Sequence, residues 1–392
     1  MPDAFAVKYI HSAMRGAPVI NGIPGSFIAA LDALWLNGWG SATAASVTVA
    51  SGVATATFSS DTVWEAGAVI EVSGATPGAL NGPARVLSAT NNAITFATSA
   101  PDGAATGTIA IKYAAAGWQK AFTGTNMAAY RSQDVQSAKH CLRVRDSYGK
   151  YATVAGYEVM TGISTGTGRF ARHATLDSNQ SVWEKSLNAD STAVPYLMAS
   201  DGRVVLVSMA CGIPLHGSYQ GANVRGFGDP IVLNPAGDAW ATFLSAAAYD
   251  GLGTGAGSLS GGAEASNGAV SMPRSMAGAG GVQTVQVQPV TGDRGLVSGD
   301  DSTMGPAPSA ASGAVLLSRI RLCLADGTTR AYVPGLYYIP QSGAATVLDG
   351  DAVYAGAGDL AGRRLRVVVT SNNAYGGEGR ALLDLTGPWR QA

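Results

Sequence analysis

Charge is what this chain has least of. Only 13% of its 392 residues are Asp, Glu, Lys or Arg, about half the quarter typical of soluble globular proteins. The 25 basic and 26 acidic residues leave a net charge of −1, and no basic run occurs. The electrostatic footprint of a nucleic-acid binder is therefore missing, and no nucleic-acid partner is expected. Long apolar runs are missing too, so no membrane span is expected, and the first residues lack the basic-then-apolar layout of a secretory signal. There are 3 cysteines, Cys141, Cys211 and Cys323, odd in number and far apart. That pattern fits reduced thiols and neither a disulfide framework nor a metal site.

Catalytic patterns are equally sparse. His11, His140, His173 and His216 stand alone. His140 precedes Cys141, but adjacent strand residues point to opposite faces and cannot act as base and nucleophile. The glycines of 251–257 alternate without the spacing or the lysine of a phosphate loop. Asp300-Asp301 and Asp349-Gly350-Asp351 lack the remainder of a calcium loop and read as turns. The expectation is no enzyme activity, no catalytic residue, no cofactor and no metal. A pair of carboxylates acting on a glycosidic bond stays open, because such a pairing is spatial.

What the chain has in abundance is glycine, 52 residues of it, and period-two patterning. Two Gly-Trp steps, Gly38-Trp39 and Gly117-Trp118, bracket runs such as Ser46-Val47-Thr48-Val49-Ala50 and Val53-Ala54-Thr55-Ala56-Thr57-Phe58. Alternation cut by turn dipeptides marks residues 41–117 as an inserted all-β module. At roughly seventy to eighty residues it is near the lower size for a domain that folds alone. One larger continuous sheet is the alternative. Within the module, Pro77 is expected to set one turn, and Asn81-Gly82 to supply positive-φ positions for a second.

The fold class expected is mainly β: a β-rich core with one N-terminal helix, the module, and a long Gly/Ala-rich excursion. Residues 1–40 carry a strand and the helix, where Ser26 reads as N-cap and Phe27, Leu31, Leu34 and Trp35 share a face. Residues 118–250 read as β-rich core, with Arg203–Ala210 a buried central strand and Trp240–Ser245 a half-exposed one. Residues 251–315 are too poor in large side chains to offset their ordering entropy, except for the alternating Val282–Gln288. That strand is expected to dock on a neighbouring subunit through Val282, Val285 and Val287. Residues 316–392 return to strands around a turn at 334–340, where Tyr337 and Tyr338 are candidate contacts.

The order apolar strand, Gly74-Ala75-Thr76-Pro77, a few residues, Leu80-Asn81-Gly82, then the Thr/Phe-rich strand Ala93–Thr98 resembles a β module that recurs in structural proteins of tailed bacteriophages. Phe122–Ser132, Gly335-Leu336-Tyr337-Tyr338, Leu348-Asp349-Gly350-Asp351, Leu360-Ala361-Gly362-Arg363 and the terminal Trp389 resemble virion proteins of phages from Gram-negative hosts. The resemblance implies a tail or baseplate component made in the host cytoplasm and residing in the virion. Its partners would be copies of itself and other tail proteins, with host-surface contact possible. A receptor- or carbohydrate-binding tip protein and a capsid-surface or neck protein remain the alternatives.

Overall fold

The computed structural model describes residues 5–171, 181–209, 224–233, 238–248, 258–260, 270–289, 297–372 and 377–390. The glycine run at 251–257, His173, Cys211, His216 and Arg294 lie outside the described residues. The chain is mainly β, with one short α-helix, and its strands fall into three sheets.

The largest sheet has 13 strands among the described residues. It starts with Lys8–His11, Tyr196–Ser200, Val204–Met209 and Val224–Gly228, and continues through Phe243–Ser245, Val270–Met272 and Gln283–Gln288. It then runs through Ser318–Cys323, Thr329–Tyr338, Gly377–Asp384 and Arg364–Asn372 to Val353–Ala355, with Ile231–Val232 pairing off this path with Thr329–Tyr338. Neighbours run antiparallel. Residues from the N-terminal part, the 118–250 region, the excursion and the C-terminal part therefore share one hydrogen-bonded surface.

Several expectations change here. Gln283–Gln288 pairs with Val270–Met272 on one side and Ser318–Cys323 on the other. It is an internal strand of its own chain, not an arm awaiting a partner. Pairing on both edges supplies the backbone bonds that the small side chains around it cannot. Phe243–Ser245 is fully buried rather than half exposed. Pro334 and Gly335 do not form a turn; they lie within the strand Thr329–Tyr338.

A second sheet of seven strands comprises Trp118–Gly124, Met127–Ser132, Cys141–Arg145, Tyr151–Gly162, Ser181–Glu184 and Ala247–Ala248, with Thr165–Phe170 flanking Tyr151–Gly162. The helix Ser26–Asp32, extended by a wider turn at Ala33–Asn37, packs on it. Phe27, Leu31, Leu34 and Trp35 are all fully buried, as their spacing predicts. Phe27 meets the edge of Trp183, and Trp35 stacks on Trp118 at 4.7 Å and meets Tyr130 edge-on.

Ser26 is not the cap. Gly25 holds that position with φ 90°, and the Ser26 hydroxyl donates to the Asn21 carbonyl. The free N–H groups of the first turn, Phe27 at 2.8 Å and Ile28 at 3.4 Å, donate instead to Asp146 Oδ2, 119 residues from Phe27. Asp146 also binds the buried Lys185 ammonium. Burial raises the Asp146 carboxyl above its ordinary value, against the pull of Lys185, and burial lowers Lys185, against the pull of Asp146.

Other buried charges are paired in the same way. Arg225 binds Glu184 through two bonds of 2.6 and 3.1 Å. Arg330 binds Asp238 through two of 2.7 and 2.8 Å, and also donates to the Arg274 carbonyl. Such forked pairs fix geometry as well as charge.

Candidate functional site

The third sheet is built wholly from residues 39–113, in the order Trp39–Thr43, Ala110–Tyr113, Val69–Ser73, Gly82–Ala89, Ala93–Ala97, Val53–Thr57, Ser46–Ala50, Gly103–Ala104. Alternation sorts its two faces. Val47, Val49, Ala54, Ala56, Ile94 and Phe96 are buried on one. Hydroxyls line the other. Thr48 sits opposite Thr55, and Thr55 opposite Thr95. Ser46 and Thr57 share a hydrogen bond of 2.6 Å, as do Ser88 and Thr95. The result is a face of four strands, free of charge at these positions.

The Gly74–Gly82 turn closes one end of this sheet. Thr76 and Thr106 exchange two backbone bonds of 2.9 Å. Asn81 acts differently from expectation: its own φ is −78°, and only Gly82, at φ +116°, occupies the positive region. The Asn81 side chain instead clamps Ala75, accepting from its N–H and donating to its carbonyl, both at 2.9 Å. Pro77 precedes the short turn Gly78–Leu80, whose Leu80 is buried. Gly74 has φ +75°, and a Cβ there would sit 2.2 Å from the Thr108 carbonyl oxygen. Each conspicuous residue of this stretch thus has a geometric task in closing the sheet.

The module meets the core at Glu65. Tyr9 donates to Glu65 Oε1 at 2.9 Å, and His11 Nε2 lies 2.5 Å from Oε2. The Glu65 N–H donates to the Tyr113 hydroxyl at 2.9 Å. Trp39 stacks on Tyr113 at 5.0 Å, and Trp64 tilts against it at 4.9 Å. Arg364 donates to the Ala66 carbonyl, and Arg85 to that of Thr386. Burial pushes the Tyr113 phenol up to about 12, and burial with the Glu65 carboxylate raises Tyr9 further. Burial also pushes the Glu65 carboxyl up, but the bonds and charge of His11 and the bond from Tyr9 outweigh it, leaving Glu65 below its ordinary 4.5.

That depression has a sign. A carboxylate that loses its proton more readily when folded adds stability above its unfolded pKa, and this is lost as pH falls through the folded value. Glu65→Gln is expected to lower stability at neutral pH by about 1–3 kcal/mol, the worth of hydrogen bonds to a charged group. The variant should also lose less stability than the parent on acidification below about pH 4.5. Urea midpoints across that range check both; parallel pH profiles for parent and variant would remove Glu65 from the account.

His140 forms the other buried polar cluster. Its Nδ1 lies 2.8 Å from the Thr242 hydroxyl, which donates to Asp229 Oδ1 at 2.8 Å. Trp240 stacks on the imidazole, and Arg274 lies 4.3 Å above Trp240 while forking onto Glu158. Burial lowers the His140 pKa. Thr242 is buried, with its hydroxyl committed in both directions. This arrangement ties strands together and presents no free nucleophile. Cys141 does not share it: it lies on the face with Tyr157, where burial raises its thiol pKa.

The residues expected to make assembly contacts are not brought together. Val285 and Val287 are buried inside this chain, and Tyr338 is buried with its hydroxyl on Asp301. These three are core positions and are unavailable to a neighbour. Tyr337 is half-buried against a second apolar cluster, and Val282 is 43% exposed. Asp301 accepts from Thr303 and Tyr338, and Asp351 pairs with Arg366. Among the described residues no group of three or more His, Cys, Asp or Glu is placed to hold a metal ion, and no helix is long and apolar enough to cross a membrane. No protein-family model, no curated protein and no solved structure matches the chain.

Proposed function

We propose that this protein is a structural component of a tailed phage particle, a tail or distal baseplate subunit that acts by assembly. The observation that carries the reading is the Gly74–Gly82 stretch, the part of the sequence most like the phage β module. In this chain it closes a sheet with one face apolar and buried and the other lined by hydroxyls. A surface free of charge at these positions suits contact between subunits, since charged residues are depleted at interface centres. The tip-protein alternative calls for an exposed aromatic groove, and the module's Phe58, Trp64, Phe96 and Tyr113 are instead buried. That favours assembly over recognition.

Thr48 is exposed and Thr55 half-buried on the hydroxyl face. Replacing both with Lys should leave the isolated protein folded, within about 0.5 kcal/mol per exposed position. It should also prevent incorporation into particles, because two ammonium groups would be desolvated at the interface without partners. Quantifying the variant in purified particles against its amount in the infected cell decides the matter. Normal incorporation would show that this face is not the contact.

A further inference from the structure

The Lys185–Asp146 pair differs in kind from the other buried charge pairs. Arg225 and Arg330 hold their carboxylates with guanidinium forks, which stay charged and are not nucleophiles. Lys185 brings an amine, and its side chain and that of Asp146 are both 0% exposed. Lys120–Asp32, the other lysine pair among the described residues, is 24% and 21% exposed and so within reach of water.

The two side chains are held in place by separate stretches of chain. Asp146 follows Cys141–Arg145; its N–H donates to the Asn126 carbonyl at 2.8 Å, and its carbonyl accepts from the Gly25 N–H at 3.0 Å. Lys185 follows Ser181–Glu184, and its N–H donates to the Lys150 carbonyl at 3.0 Å. Trp183, two residues before Lys185, packs edge-on to Phe27, and both rings are fully buried. Lys185 Nζ contacts Asp146 Oδ1 and donates to the Ile23 carbonyl at 2.9 Å. An ammonium has three hydrogens to place, and the third finds no acceptor among the described residues. Asp146 Oδ2 is taken by the N–H groups of Phe27 and Ile28.

We propose that Lys185 and Asp146 condense in the folded protein to an isopeptide bond, a covalent cross-link between the ends of their two strands. The inference goes beyond the particle assignment and does not rest on it. The ammonium first passes a proton to Oδ1, turning the ion pair into an amine and an acid. Burial favours that transfer from both sides, since it raises the carboxyl and lowers the amine. The Nζ lone pair then attacks Cγ, with fixed proximity in place of a chance encounter. Negative charge gathers on Oδ2, where the Phe27 and Ile28 N–H groups are already aimed. A second proton moves from Nζ to Oδ1, the Cγ–Oδ1 bond breaks, and Oδ1 leaves as water. One C–N bond replaces one C–O bond, and nothing is oxidised or reduced. The product suits the site better than the ion pair does. Its amide N–H keeps the Ile23 carbonyl, its oxygen keeps the two N–H groups, and two desolvated charges are gone.

The test is the intact mass of the full chain, folded first and then measured under denaturing conditions. The cross-linked chain is lighter than its sequence by one water. Trypsin should fail to cut after Lys185 and should release Asp146–Lys150 joined to the peptide that contains Lys185. Chain recovered in urea from inclusion bodies should have its full mass until it is refolded. Lys185→Met should keep the full mass throughout. Asp146→Asn, once its melting curve shows that it folds, should lose ammonia in place of water. Because the parent alone decides the matter, a variant that fails to fold costs the test nothing. Full sequence mass in the folded parent would overturn the proposal and leave an ordinary ion pair. So would a water loss that maps elsewhere, such as to a cyclised Asp326-Gly327 step, or one that persists in Lys185→Met.

Discussion

Asp238→Ala is expected to cost about 3–5 kcal/mol, the largest loss from any single change considered. Arg330 is fully enclosed, and Asp238 supplies both oxygens of its fork. Removing the carboxylate leaves a guanidinium in low dielectric with one carbonyl, that of Arg274, as its remaining acceptor among the bonds described here. Breaking a buried pair on one side is costly for this reason, whereas replacing both partners with apolar groups of similar volume is often neutral. Asp238→Leu with Arg330→Met should therefore recover most of the loss. Urea unfolding of the two single variants and the double variant measures the coupling. A single change costing less than about 1 kcal/mol would mean that water reaches the pair.

The second large effect concerns the module. Trp39 pairs directly with Tyr113, so the chain enters and leaves the sheet at one point. Joining Gly40 to Gly117 through a few Gly and Ser residues should leave a soluble remainder that unfolds in one transition. It should also be markedly less stable. One apolar cluster runs through both the module and the core, and Trp39 would lose the stacking of Tyr113. Uncovering a large side chain costs about 1.5–3 kcal/mol. Tyr9 and His11 would also lose Glu65. Aggregation of the shortened chain under conditions where the parent is soluble would show that the module is part of the core's own folding unit.

How much of this was legible follows from the range of the forces involved. The helix face Phe27, Leu31, Leu34 and Trp35 is local, and so is the continuous apolar run of Val204–Met209; both read directly from spacing. The alternation of Val282–Gln288 correctly signalled a strand, but alternation does not say whose sheet the strand joins. Its neighbour on one side, Val270–Met272, is three residues long, too short for periodicity to register. Ser26 has the right local chemistry for the helix cap, but the acceptor that serves the first turn, Asp146, arrives from the end of Cys141–Arg145, 119 residues from Phe27. Asn81 was assigned to its turn for its backbone tolerance and in fact works through its side chain.

The central claim, assembly into a tailed phage particle, is tested most directly by a cryo-electron microscopy map of purified particles whose genome encodes this chain. The account predicts this protein in the tail or baseplate at a fixed symmetric copy number, with the hydroxyl face of Thr48, Thr55 and Thr95 against a neighbouring subunit. Particles that are complete and infectious without density for this chain would contradict it.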